Sequence, residues 1–105
     1  MRFGLKENAI NQINAVFAQF PEVKKAILYG SRAKGNFRRG SDIDLVLSGE
    51  GLTLFVLNKI RIELDELLLP YTFDISNLQQ IDNAELIQHI ERVGVVFYER
   101  GKHNA

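Results

Sequence analysis

The stretch Leu28-Tyr29-Gly30-Ser31-Arg32-Ala33-Lys34-Gly35-Asn36-Phe37-Arg38-Arg39-Gly40-Ser41-Asp42-Ile43-Asp44-Leu45 constrains this chain more than any other part of it. A short apolar run, Ala26 to Tyr29, reads as a buried strand that ends at Gly30. Residues 31–41 are polar, basic and broken by Gly35 and Gly40, which makes them a loop, with a short helix starting near Ser31. From residue 42 to residue 47 the pattern predicts a second strand. Strand side chains alternate between faces, so Ile43, Leu45 and Leu47 share one face and Asp42, Asp44 and Val46 share the other. The fold must therefore accommodate a strand, a glycine turn, a basic loop and an acid-bearing strand, in that order.

The flanking sequence supplies the packing. Within residues 5–20, Ile10, Ile13, Phe17 and Phe20 recur at three- and four-residue steps, the pattern of an amphipathic helix, which Pro21 stops. Ser48-Gly49-Glu50-Gly51 is a turn. Residues 52–68 suit a helix striped by Leu57, Ile60, Leu64 and Leu67, with Pro70 after it. Tyr71 to Ile75 reads as a third strand, with Tyr71, Phe73 and Ile75 facing one way and Thr72 and Asp74 the other. Residues 83–93 form a last helix, with Asp82 or Asn83 as N-cap, Glu85 in the first turn and Gly94 as the stop. Val95 to Tyr98 is an apolar tail read as a strand, either core or partly exposed for a partner. The order predicts an α/β (α+β) fold, a small mixed β-sheet with helices packed on it. A length of 105 residues suits one small domain spanning residues 1–105.

Composition narrows the classes of function. Thirteen basic and thirteen acidic residues cancel, so the overall charge gives no argument for a nucleic-acid or anionic-membrane surface. The absence of cysteine removes disulfides, thiolate nucleophiles and cysteine-bound zinc together. The N-terminus lacks the apolar core of a signal peptide, and no apolar run approaches the ~20 residues needed to span a bilayer. The cytoplasm is the expected location, with no membrane partner.

Asp42 and Asp44, two apart in a strand, aim their carboxylates to the same side. Two such charges repel unless a cation lies between them. Magnesium suits, because it binds through one or two carboxylates plus substrate phosphate oxygens. If the third strand neighbours the first two, Asp74 joins the pair, and three carboxylates can hold two metal ions roughly 3.5–4 Å apart, as in-line nucleotidyl displacement requires. Gly30-Ser31 forms the opposite wall. Glycine lets the backbone approach a phosphate, and the helix start offers free N–H donors. Arg32, Lys34, Arg38 and Arg39 bring positive charge to the same loop. Arg32 is expected with Gly30 and Ser31 at the nucleotide phosphates. Lys34, Arg38 and Arg39 individually read as solvated charges, of which one touches phosphate. At roughly 5–7% per residue type, the four motif positions coincide by chance in on the order of one chain in a thousand of this length, so the spacing is a signal.

Gly-Ser, ten residues, then Asp-x-Asp resembles the signature of the DNA polymerase β-like nucleotidyltransferase superfamily, and GSRAKG…RRGSDIDL resembles its minimal nucleotidyltransferase branch. The resemblance runs from the first helix to the closing VVFYE segment. Gly30, Ser31, Asp42 and Asp44 match the signature, and Asp74 takes the third carboxylate by its place in the next core strand. The resemblance implies a palm-like α/β fold, magnesium dependence, ATP as substrate and transfer of a nucleoside monophosphate. It also implies pairing with a helical HEPN-domain protein, with the transferase as antitoxin to an RNase toxin that some members adenylylate. A chain this short leaves the acceptor to a partner or to a second copy. The alternative is a non-catalytic antitoxin that neutralises its partner by docking alone.

Other polar residues read as structural. Glu63 and Asp65 are surface charges on a helix, with Arg61 and Asp65 at ion-pairing spacing. His89 reads as surface, on the polar side of the last helix, and His103 as part of a frayed tail. No histidine is expected in the acidic cluster.

Overall fold

A computed structural model of the chain describes residues 1–101. The elements run α1 (Glu7–Ala18), β1 (Lys25–Tyr29), the single-turn helix α2 (Ser31–Lys34), β2 (Ile43–Ser48), α3 (Leu54–Asp65), β3 (Phe73–Asn77), a 3-10 turn (Leu78–Gln80), α4 (Ala84–Val93) and β4 (Val95–Glu99). The strands form one sheet in the order β3-β2-β1-β4. β1 lies antiparallel to β2 and to β4, whereas β2 and β3 are parallel. A parallel pair needs a crossover, and α3 supplies it. This is the mixed sheet with packed helices that the sequence predicts.

The expected alternation in β2 decides how the layers stack. Ile43, Leu45 and Leu47 are fully buried with Leu28 and Ile75 against Ile10, Ile13 and Phe17 of α1 and Leu57, Ile60 and Leu64 of α3. On the opposite face Val46 and Tyr29 pack with Ile90 of α4, flanked by Ile27, Leu86 and Val93. The acid-bearing face of β2 is therefore the one that α4 covers. Asn83 caps α4, its side-chain oxygen accepting the Glu85 and Leu86 amides. Gly94 ends α4 without entering the left-handed region. A Cβ there would meet the Ile90 carbonyl and lie 2.8 Å from Ile27 Cγ2, so close packing on β1 is what requires glycine.

Three departures from the sequence pattern have local causes. β3 begins two residues later than expected and includes Ser76 and Asn77, whose polarity hides them. Asn77 is nonetheless buried, donating from Nδ2 to the Leu52 carbonyl at 2.9 Å. In β4 the register against β1 shifts between Ala26 and Ile27, so the adjacent Phe97 and Tyr98 both reach the α1–α3 core, while Val95 and Val96 stay exposed. Arg61 does not pair with Asp65. Its guanidinium donates to Asn58 Oδ1 at 2.8 Å and to the Ile75 carbonyl at 2.7 Å, covering an acceptor on the outermost strand. His103 lies outside the described residues. Among the described residues, no helix is long and apolar enough to cross a membrane.

Arg100, just after β4, closes the fold. Its guanidinium donates to the Phe17, Ala18, Phe20 and Val23 carbonyls, with the shortest bond, to Phe20, at 2.7 Å. It thereby satisfies the carbonyl end of α1 and the connection into β1. Arg100→Ala is expected to cost about 2–3 kcal/mol in urea unfolding; a loss under about 0.5 kcal/mol would mean that water replaces the guanidinium without penalty.

Candidate active site

Sheet register builds the site. Tyr29 lies opposite Asp44, and Asp44 lies opposite Asp74, so three adjacent strands carry Tyr29, Asp44 and Asp74 in one row on the α4 face. Asp42 sits just before β2 and, like Asp74, is exposed; Asp44 is half-buried. Burial raises the Asp44 carboxyl above its ordinary range, the charges of Asp74 and Asp42 raise it further, and Arg32 offsets a part. Asp74 and Asp42 thus sit close enough to Asp44 to disfavour its charge. Burial also raises the Tyr29 phenol; the nearby Ser76 hydroxyl counters this in part, and Asp74 and Asp44 reinforce it.

Gly30 brings the other wall into contact with this row. Its φ of +76° and ψ of −157° belong to glycine alone. Asp44 Oδ2 lies too close to leave room for a Cβ, so only a bare Cα fits beside it. The two halves of the sequence motif thus meet in space. The Gly30 carbonyl accepts from the Lys34 amide at 3.1 Å, closing the α2 turn.

Arg32 corrects the expectation made for it. It is 3% exposed, not displayed to a ligand. Its Nε and Nη2 donate to the Ser41 carbonyl at 3.1 and 2.8 Å, and its Nη1 donates to the Phe3 carbonyl at 2.9 Å. The guanidinium also lies 5.3 Å from the Phe37 ring centroid and 5.1 Å from that of Tyr71. Arg32 clamps the 35–41 loop to the N-terminal residues and to the entry of β3, and reaches the site only as a positive field on Asp44. The loop closes on itself as well, the Arg38 amide donating to Ser41 Oγ at 2.8 Å. Lys34, Arg38 and Arg39 are exposed.

His89 is the second correction. It is half-buried, and its Nε2 accepts the Gly30 amide at 3.3 Å. Its ring stands edge-on to Tyr29, with centroids 6.1 Å apart. The sequence carried a signal for this: Leu86, His89, Ile90 and Val93 follow the three- and four-residue steps of a packed helix face.

The chain matches the family model described as polymerase β nucleotidyltransferase over residues 11–103. It belongs to that family. Its fold is also similar to solved structures. One is a toxin–antitoxin with AMP-PNP, at 22% identity and a TM-score of 0.69, covering 92% of this chain and 76% of that one. Another is a complex of tri-AMPylated Shewanella oneidensis HEPN toxin with MNT antitoxin, at 18% identity and a TM-score of 0.67, covering 90% and 73%. The MntA–HepT toxin–antitoxin pair gives the same values. None of the curated protein sequences matches.

The carboxylates of this nucleotidyltransferase-family chain suit magnesium in one particular way. Among the described residues, no three acidic, histidine or cysteine side chains form a ready metal-binding set. The expected three-carboxylate cage is therefore not preassembled. Magnesium rarely uses such a cage; it takes one or two carboxylates and completes its shell from water and substrate phosphates. Burial and the charges of Asp74 and Asp42 disfavour the ionised Asp44 carboxylate, and such a cation meets that electrostatic demand.

Proposed function

We propose that this chain is a magnesium-dependent nucleotidyltransferase that moves AMP from ATP to a hydroxyl of a HEPN-type partner protein, acting as its antitoxin. The observation that carries the reading is the Asp44 carboxylate against the bare Gly30 Cα, with Asp74 next in the row. It puts metal-type ligands and a side-chain-free turn at one spot, as a triphosphate with its cation needs. The occurrence of this fold in complexes with AMP-PNP and with a tri-AMPylated HEPN toxin supports the choice of nucleotide and acceptor.

Under this reading, the bare Gly30 lets the triphosphate approach, and Ser31 receives it through its backbone N–H and its hydroxyl. Asp42, Asp44 and Asp74 hold magnesium, which when bound neutralises the phosphates and the departing pyrophosphate. The acceptor oxygen bonds to the α-phosphorus as the bond to the β-phosphate bridge breaks, and pyrophosphate leaves. A carboxylate oxygen of Asp74 takes the acceptor's proton. Lys34, Arg38 and Arg39 attract the polyanion from outside. The chain's contribution is positioning and charge, with no covalent intermediate.

The test incubates the chain and its HEPN partner with ATP labelled at the α-phosphate and magnesium. Label is expected on the partner, and chelation of magnesium should abolish it. If no label transfers, and the Asp42→Asn/Asp44→Asn variant neutralises the partner as well as wild type does, the protein is a docking-only antitoxin.

A further inference from the structure

We propose that His89 is a positioning residue for the phosphate-binding turn, holding Gly30 in its glycine-only conformation through the Gly30 amide. The inference rests on the nucleotide-binding reading and extends it to a helix that carries none of the motif.

Gly30 is held from both of its peptide groups. Its carbonyl is fixed by the Lys34 amide and its amide by His89 Nε2. A glycine at φ +76° has the widest conformational freedom of any residue, so a turn built on it stays in one shape only if its neighbours hold it. The carbonyl contact is local to α2. The amide contact crosses 59 residues of sequence and ties the turn to α4.

The helix that carries His89 is itself firmly set. Ile90 is buried against Val46 and Tyr29, and Gly94 lets the end of α4 settle on Ile27. His89 precedes Ile90 and has little choice but to face the end of β1. The edge-on Tyr29 ring restricts its rotation. An acceptor at Nε2 requires that the ring proton sit on Nδ1. At 3.3 Å the bond is long for an amide donor. With Gly30 oriented, Ser31 is presented at a fixed place beside Asp44. A triphosphate then meets a preformed cradle instead of ordering one.

The prediction compares His89→Ala, which removes the acceptor, with His89→Gln, which keeps one. Three quantities are measured: hydrogen exchange at the Gly30 amide without nucleotide, the Mg-ATP dissociation constant by calorimetry, and the melting temperature. In His89→Ala, Gly30 exchange is expected to accelerate at least about tenfold, and the Mg-ATP Kd to rise about tenfold, as for a site competent roughly a tenth of the time. His89→Gln should restore both to within about threefold of wild type, and all three proteins should melt within a few degrees of one another. If wild type binds Mg-ATP and His89→Ala binds equally well, the inference is wrong while the proposed function stands. If the glutamine variant fails as badly as alanine and both lose stability, His89 is packing only and the inference falls. A wild-type chain that takes up no nucleotide overturns the functional reading and this inference together.

Discussion

Gly30→Ala is expected to weaken Mg-ATP binding by at least about 100-fold and to abolish label transfer, while the protein remains folded. Two costs fall on the same atom. A residue with a Cβ at φ +76° carries backbone strain of about 1–3 kcal/mol. The added methyl would also collide with Asp44 Oδ2, with Asp44 Cγ only 3.3 Å away. The chain can relieve the collision by rotating Asp44 out of the row or by flattening the turn. Either movement separates the donors of Gly30-Ser31 from the carboxylate, and misplacement of about 1 Å costs on the order of 100-fold in a reaction that depends on positioning. The strain is small beside the roughly 5–15 kcal/mol that holds a domain together, and the α1–α3 core lies on the other face of the sheet. Calorimetry with a parallel thermal melt checks this. A folded Gly30→Ala protein that binds Mg-ATP within about threefold of wild type would mean the nucleotide does not lie between Gly30 and Asp44.

The parts of this site that could be read from sequence are those set by short-range periodicity. The two-residue alternation from Asp42 to Leu47 sorts the β2 side chains between two faces, and the folded chain keeps that division. The Asp44–Asp74 juxtaposition needed one inference beyond the pattern, that β3 neighbours β2, and the parallel pairing supplies it. What escaped was set by contacts between distant segments. Arg32 looked like a phosphate ligand because its neighbours are basic and exposed. It is buried because carbonyls of Phe3 and Ser41 and the rings of Phe37 and Tyr71 converge on it, and no local pattern records that convergence. His89 was misread for a different reason: it was placed on the polar side of the last helix, whereas it follows the spacing of Leu86, Ile90 and Val93 on the packed face and meets a backbone donor there. Tyr29 was read only as the last apolar residue of a strand, although the register places its ring beside two carboxylates.

Asp44→Asn is expected to remove at least about 10³-fold of the transfer rate and yet to raise stability in the absence of metal. The folded chain holds the Asp44 proton more tightly than the unfolded chain, through burial and through the charges of Asp74 and Asp42. For a carboxyl with a raised pKa, the folded state binds more protons than the unfolded state once the pH exceeds the ordinary value of 3.8. Stability then falls as pH rises through the window between that value and the folded pKa. Above the window, near neutrality, the ionised carboxylate is a standing cost of the empty site, and the amide of asparagine, of nearly the same size, does not incur it. Without magnesium at neutral pH the variant should therefore melt a few degrees above wild type. The gap should close as the pH is lowered below 3.8, where the wild-type carboxyl becomes protonated in both states. Magnesium with ATP should reverse the order, because a ligand that binds only the folded wild type raises its melting temperature by mass action and leaves the variant unmoved. Melting curves at several pH values, each with and without Mg-ATP, read the whole pattern. A variant that melts below wild type in metal-free buffer at neutral pH would mean that the Asp44 carboxylate serves as a structural acceptor, and the cation demand inferred at this row of acids would lose its basis.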